Sequence, residues 1–270
     1  MDQVARFLRY PGSKRRMLEF LLEHLPDSGA IKGRFIEPFV GSGVVYFAIS
    51  PKTAILGDLN RELIDLYLGI VRSPDRVWRL YRSFPSNKRG YRKIRGIDTS
   101  SLTLLQRAAR SLFLNRTCFK GMWRHNLKGQ FNIGYGGQDR RWSVSRRDLF
   151  EVAECLQNAQ IHCCDFEKLI GLAGPKDFLF LDPPYRPGER EQLHDHYSAR
   201  RFTFVDHRRL ASALKSADQR GIGWALTVSD HRDIIRMYNG FKQLPIPRGT
   251  GRSIGALSQI HGGEVLITNS

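Results

Sequence analysis

Phe178-Leu179-Phe180-Leu181-Asp182-Pro183-Pro184-Tyr185 is the stretch on which the reading of this chain turns. Four apolar residues in a row read as a fully buried strand. Two prolines then stop it, because neither can donate to a sheet ladder. An acid, a rigid turn and an aromatic ring are thereby set at a strand end, which is where open α/β sheets bind ligands. The Asp182 carboxylate and the Pro183 carbonyl can each accept one N–H, and Tyr185 offers a stacking face, so the set suits an exocyclic amino group on a planar base. Asp and Pro are also common turn residues, and a polar cap on a strand end reads the same way in isolation.

Working outward, the next informative segment is Phe35-Ile36-Glu37-Pro38-Phe39-Val40-Gly41-Ser42-Gly43, followed by Val44-Val45-Tyr46-Phe47. It reads as a strand, a glycine-rich turn and an apolar helix. Gly41 and Gly43 let backbone approach a ligand closely, and the helix start presents free N–H groups. A second apolar strand, Ile55-Leu56-Gly57, ends in Asp58, a spacing that suits a carboxylate gripping ribose hydroxyls. Glu37 stands where a dinucleotide fingerprint has its first glycine, so the pattern points to a smaller nucleoside ligand. Near the start, Leu8-Arg9-Tyr10-Pro11-Gly12-Ser13-Lys14 reads as a turn in which Ser13 caps a helix through Met17, Leu18, Leu21, Leu22 and Leu25. A lysine beside such a helix start can hold a carboxylate.

The rest of the chain alternates strands and helices, with one interruption. Asn60 caps a helix through Leu63, Leu66, Tyr67 and Ile70, and Ser73-Pro74 caps the next. From there Arg72, Arg76, Arg79, Arg82, Lys88, Arg89, Arg92, Lys93 and Arg95 are opposed by Asp75 alone. A helix from Ser101 to about Arg116 leads into Phe113–Asn132, where Arg116, Phe119, Lys120, Met122, Trp123, Arg124, Asn126 and Asn132 alternate basic, amide and aromatic side chains without periodicity. Such a mixture can pair phosphates, read base edges and wedge into a stack, and it equally suits a loop-rich hairpin with a charged face. Gly134, Gly136 and Gly137 with Arg140-Arg141 form a basic loop closing the segment. The α/β pattern then returns with a helix carrying Leu149, Phe150, Ala153 and Leu156. Strands follow at Gln160–Cys164, at Trp224–Ser229 and, last, at Gly263–Thr268. The alternation predicts a mainly parallel, doubly wound sheet with one basic insert.

Composition narrows the partner. The 270 residues carry 43 Lys+Arg against 26 Asp+Glu, a net charge of +17, and 41% hydrophobic residues. A core of ordinary size is available, and the basic balance favours a polyanion, nucleic acid first. Cys118, Cys155, Cys163 and Cys164 lack metal-ligand spacing and read as reduced thiols of a cytoplasmic protein. No secretory leader opens the chain, and no apolar run nears the roughly 18 residues of a membrane span.

With these motifs in view, the chain resembles the DNA adenine N6-methyltransferases of the Dam type, the D12 class with a DPPY motif. The resemblance rests, in family order, on Tyr10-Pro11-Gly12-Ser13-Lys14, Glu37–Gly43, Asp58-Leu59-Asn60, Leu114-Asn115-Arg116, Arg124–Asn132 and Asp182-Pro183-Pro184-Tyr185. It implies a Rossmann-like S-adenosylmethionine-dependent methyltransferase sheet with one reversed strand. The catalytic domain would span 1–60 and 146–270, and a mainly helical target-recognition insert 61–145. It also implies S-adenosylmethionine as donor, S-adenosylhomocysteine as product, no metal, and adenine N6 of double-stranded DNA as target, flipped out of the duplex. By position, Tyr10, Gly12 and Lys14 would sit by the donor, with Lys14 on its carboxylate. Glu37, Phe39 and Gly41 would line the methionine and ribose region, Asp58 would take the ribose hydroxyls, and Asp165 and Phe166 would hold the adenine. Asp182, Pro183, Pro184 and Tyr185 would do the chemistry, with Asp182 also bordering the donor.

In the insert, the resemblance gives Arg124 the reading of a guanine edge. Arg9 stands where a base-reading lysine is usual, and Phe119 and Met122 where side chains wedge into DNA. Arg116, Lys120, Asn126 and Asn132 would complete the contact. Arg9 and Gln138, the latter in a place where GATC-specific members often carry an aromatic, leave a GATC-like site as the nearest expectation rather than a fixed target. The resemblance further implies a bacterial or phage protein, monomeric or weakly dimeric, solitary or paired in restriction–modification. Cytosine N4 or an RNA base would use the same amine chemistry. A non-catalytic DNA-binding protein on the same fold is the rival from another class, separated by whether it binds the donor.

Overall fold

The computed structural model describes residues 7–10, 12–85, 87–126, 129–137, 144–184, 202–247 and 263–270. Its centre is a seven-stranded sheet of β1 (Phe35–Glu37), β2 (Ala54–Asp58), β3 (Ala159–Cys163), β4 (Phe178–Leu181), β5 (Gly223–Ser229), β6 (Lys242–Ile246) and β7 (Glu264–Thr268). The spatial order is β3-β2-β1-β4-β5-β7-β6. β1 to β5 are mutually parallel, and β7 runs antiparallel to both of its neighbours. This is the doubly wound, Rossmann-like methyltransferase sheet with its one reversed strand. Strand order reverses between β1 and β4, and that switch point opens the crevice where such sheets bind ligands.

The buried strands obey the two-residue alternation of a pleated sheet. Phe35, Leu56, Phe178, Phe180 and Ala225 pack into one hydrophobic cluster, while Ile36, Ile55, Leu179, Leu181 and Leu226 pack into the other. An unbroken apolar run such as Phe178–Leu181 is thus a strand with helices on both sides. β6 was not anticipated from sequence. Its Lys-Gln-Leu-Pro-Ile run is polar at the start and carries Pro245, which a sheet accepts here because β6 lies at the edge.

α1 (Leu18–His24) follows a short 3₁₀ turn at Lys14–Met17, and α2 (Val44–Ile49) follows the glycine turn. Two expected caps are corrected. The hydroxyls of Ser13 and Ser73 cap nothing, and Ser13 Oγ instead accepts a hydrogen bond from Ser42 Oγ at 3.1 Å. Asn60 does cap α3 (Arg61–Arg72), accepting from the Leu63 amide. Next come α4 (Pro74–Ser83), α5 (Lys88–Arg95), α6 (Leu104–Thr117), α7 (Arg146–Leu156), α8 (Phe166–Leu172) and α9 (Phe204–Gln219). Phe150, expected on the apolar face of α7, is exposed, and Val152 is buried instead. Among the described residues no helix is long and apolar enough to cross a membrane.

The helices after β2 share a hydrophobic cluster with α2 and one sheet face. α6 runs through their middle, buried on nearly all sides from Ala108 to Thr117. Beyond it the chain folds back as an irregular hairpin, with bridges Cys118–Tyr135 and His125–Phe131. One carboxylate ties this hairpin to the helices. Glu62 accepts from Arg110 Nη1 at 2.8 Å and lies 3.0 Å from His125 Nε2. Burial by itself would raise its pKa, but the His125 hydrogen bond and the Arg110 charge outweigh burial and hold it below the usual glutamate range.

Removing one partner of a largely buried ionic cluster leaves an uncompensated charge, so Glu62→Ala should cost about 3 kcal/mol in denaturant titrations at neutral pH. Glu62 has a lowered folded pKa, so its contribution is present above the ordinary glutamate value of about 4.3 and is lost as pH falls through the folded value. The stability gap between wild type and Glu62→Gln should therefore narrow on acidification. A gap that stays constant down to acid unfolding would contradict this.

Candidate active site

At the carboxyl edge of the sheet, β1, β2 and β4 deliver Glu37, Asp58 and Asp182, and the reversed β7 begins there with Glu264. The glycine turn after β1 depends on Asp58, whose two carboxylate oxygens accept the Gly41 amide at 3.1 Å and the Asn60 amide at 2.8 Å. Gly41 adopts φ +46°, and the Tyr10 ring lies against it, 3.2 Å from where a Cβ would stand. A side chain there would be strained by the backbone and crowded by the ring. Tyr67 Oη closes the turn from α3 by donating to the Gly41 carbonyl at 2.7 Å. Burial pushes Asp58 up to about 6 against the pull of the Asn60, Gly41 and Leu59 amides. Glu37 is more deeply placed. Burial first, and the Asp182 and Asp58 charges with it, raise its pKa well above the usual range, and its Oε2 has no hydrogen-bond partner among the described residues.

Lys14 meets these acids from the amino-terminal motif. Its Nζ lies 2.8 Å from Asp182 Oδ1, 3.5 Å from Glu264 Oε2 and 3.2 Å from the Gly12 carbonyl, and the side chain is 4% exposed. Lys14 therefore contacts Asp182 itself, which sequence spacing did not reveal. Asp182 Oδ1 also accepts from Thr227 Oγ1 at 2.7 Å. Pro183 is buried and Pro184 exposed, while Tyr185 lies outside the described residues, as do Pro11, Gln138, Arg140 and Arg141.

A second half of the crevice is aromatic. Phe39 and Phe166 stack with ring centres 5.4 Å apart, and Phe202 packs edge-on to Phe39. Asp165 caps α8, accepting the Glu167 amide, and pairs with Arg209 at 2.9 Å. Arg209 also bonds Glu167 and Asp206 and lies 4.9 Å above the Phe166 ring. Neither Phe202 nor Arg209 was picked out as a site residue, because both come from sequence well beyond the motifs and only the approach of α9 to α8 joins them. A separate groove of about 640 Å³ opens at the opposite, amino-terminal strand edge by Lys176, Gly223 and Lys242, away from all of these groups.

The candidate DNA-reading residues divide. The backbone of Arg9 is held by the Asn115 amide group, which donates to its carbonyl at 2.6 Å and accepts from its N–H at 3.1 Å. The Arg9 side chain lies across Gly121, where a Cβ would collide with it. Arg9 is thus brought beside the turn bearing Phe119 and Lys120. Phe119 is exposed, Met122 is half-buried, and Arg124 Nε donates to Asn132 Oδ1 at 3.2 Å. Asn126 shapes the hairpin tip, exchanging hydrogen bonds with Gln130. Arg116 is a correction. It is 3% exposed and donates to the Phe7 carbonyl, and burial pushes its pKa down to about 10, so it anchors the amino-terminal segment rather than meeting a phosphate.

This geometry accompanies a match to a protein-family model, the D12 class N6 adenine-specific DNA methyltransferases, over residues 10–248. The chain belongs to that family. Among its relatives, a type II methyltransferase, M1.LlaDCHI of Lactococcus lactis, is 29% identical over 97% of this chain and 94% of its own. The type II methyltransferase M.MjaIII of Methanocaldococcus jannaschii is 31% identical over 88% and 89%. A DNA adenine methylase of Vibrio cholerae is 30% identical over 89% and 87%. As a D12 class enzyme the protein is a site-specific DNA-methyltransferase acting on adenine.

Because burial pushes the Asp58 carboxyl up to about 6, the Gly41 and Asn60 amide resonances should move together with pH, with a midpoint about 6. Asp58→Asn should abolish that titration. Amide shifts that stay flat between pH 5 and about 7 would show that the turn does not depend on this carboxylate.

Proposed function

We propose that the enzyme uses S-adenosylmethionine to methylate the N6 amine of an adenine flipped out of double-stranded DNA, with Asp182 and the Pro183 carbonyl gripping that amine. The observation that carries this reading is the placement of Asp182 at the β4 end of the crevice. It is held by Lys14 and Thr227, and β4 lies beside β1, whose other neighbour β2 ends in Asp58.

The crevice residues fit the donor. Phe39, Phe166 and Phe202 form an apolar wall for a purine, and Asp165 supplies an acceptor for its amino group. Tyr10, Gly12 and Gly41 would border the methionine and ribose, with Asp58 reaching the ribose hydroxyls. The unbonded Glu37 Oε2 offers an acceptor for an ammonium. Lys14 could take a carboxylate by exchanging its longest contact, that to Glu264 at 3.5 Å. The donor would supply a methyl group already activated by its sulfonium.

The chain's own residues supply grip and alignment. The adenine amine is a weak nucleophile because its lone pair is delocalised into the ring. Accepting both its N–H groups at Asp182 and the Pro183 carbonyl favours a tetrahedral nitrogen and steadies the positive charge that develops on it. Tyr185 would stack on the extruded ring. Holding amine and methyl group in line supplies much of the remaining acceleration.

The insert, 61–145, would hold the duplex. Lys88, Arg89, Arg92 and Lys93 line the exposed side of α5 and suit phosphates. Phe119, Lys120 and Met122 would fill the gap left by the flipped base, whose extrusion costs a few kcal/mol. Arg9, Arg124, Asn126 and Asn132 would read base edges of a short GATC-like site.

Asp182→Ala should abolish transfer of labelled methyl from S-adenosylmethionine to DNA while leaving DNA retention in gel-shift assays within about twofold, as expected when a group acts only on the reacting amine. Turnover at the wild-type rate would overturn the assignment. Arg124→Ala, expressed in a methylation-free host, should relax preference at one base of the modified site, worth about 1–3 kcal/mol of discrimination. An unchanged methylation map would remove Arg124 from recognition.

A further inference from the structure

Thr227 sits in the middle of β5 between Leu226 and Val228 and is completely buried. Packing alone would be served equally by valine, which has the same shape. A hydroxyl in such a place is costly unless it is bonded. Two features of the sheet give it a partner. β4 and β5 are parallel with Leu181 beside Leu226, so Thr227 stands beside the next residue of the β4 chain, Asp182. The pleat then turns both side chains toward the same face, the one that Phe178, Phe180 and Ala225 share.

The hydroxyl has one hydrogen to give. It lies 2.7 Å from Asp182 Oδ1 and 3.4 Å from the Leu181 carbonyl. The short bond to a carboxylate is the stronger of the two, so the hydrogen belongs on Asp182. Lys14 Nζ reaches the same oxygen at 2.8 Å. Among the described residues both donors therefore fall on Oδ1. Lys14 arrives on a flexible stem as a point charge, whereas Thr227 is fixed to the sheet and defines a direction.

We propose that Thr227 is the positioning residue for Asp182: by bonding Oδ1 from the neighbouring strand it fixes the rotation of the carboxylate and presents Oδ2 to the adenine amine. This rests on the reading that Asp182 grips the amine. Among the described residues Asp182 would otherwise be oriented by Lys14.

The test measures single-turnover transfer of labelled methyl to DNA, with saturating donor and DNA, for wild type, Thr227→Val, Thr227→Ser and Asp182→Ala. Thr227→Val should melt as wild type does and bind donor and DNA within about twofold, yet transfer methyl about tenfold to a hundredfold more slowly, the range for a lost hydrogen bond to a charged group. Thr227→Ser, which restores the hydroxyl, should return the rate to within about threefold, a recovery that lost packing would not show. A wild-type rate in Thr227→Val beside an inactive Asp182→Ala would overturn the role of Thr227 and leave Asp182 standing. A defect confined to donor or DNA affinity would overturn it as well. An active Asp182→Ala would instead bring down the reading of Asp182, and the positioning role with it.

Discussion

The structure depends on how a sheet edge can hold several acids around one buried lysine. Glu37, Asp58, Asp182 and Glu264 are gathered at the carboxyl ends of β1, β2 and β4 and at the start of β7, and Lys14 bonds two of them. An arrangement with more anions than cations is unfavourable unless protons, amides or a ligand relieve it. The relief differs among them, with Glu264 sharing Lys14 with Asp182. Asp58 takes backbone amides, Asp182 takes Lys14 and Thr227, and Glu37 is driven toward its protonated form by burial beside its neighbours. The surplus of negative charge suits a cationic methyl donor.

That constraint explains why segments far apart in sequence are locked together near the crevice. The amino-terminal motif must be held firmly if Lys14 is to reach Asp182. Asn115 and Arg116 on α6 do this by bonding the backbone of Arg9 and Phe7. Ser42 and Tyr67 then tie the glycine turn to the same assembly. Because α6 also carries Arg110 to Glu62, and Glu62 holds His125 of the hairpin, one buried helix links the crevice to the hairpin. Arg9 occupies both worlds, with its backbone fixed by α6 and its side chain against Gly121.

The aromatic half of the crevice follows a parallel logic. Phe166 opens α8, and Asp165 caps it, so a single strand-to-helix turn supplies both a ring and a carboxylate. Arg209 then binds Asp165 and covers the ring, pairing as well with Glu167 and Asp206.

Much of this was determined by sequence alone. Runs such as Phe178–Leu181 and Ile55–Gly57 are too short for helices and are bounded by Pro, Gly or an acid, which reads as buried strands, and Asp182, Asp58 and Gly41 announce themselves by standing where strands end. The reversed β7 was implied only by family likeness, because its apolar run has no direction written into it. Edge strand β6 escaped, since a proline in a polar run reads as a loop until the sheet shows that its missing N–H faces outward. Arg116 read as a DNA-contacting cation because charge in sequence says nothing about burial, and tertiary packing placed it against the Phe7 carbonyl. Pairings between distant residues, Lys14 with Asp182, Arg209 with Asp165 and Thr227 with Asp182, were decided by strand register and helix packing alone. A side chain's type is local, but its partner is chosen by which strands lie side by side.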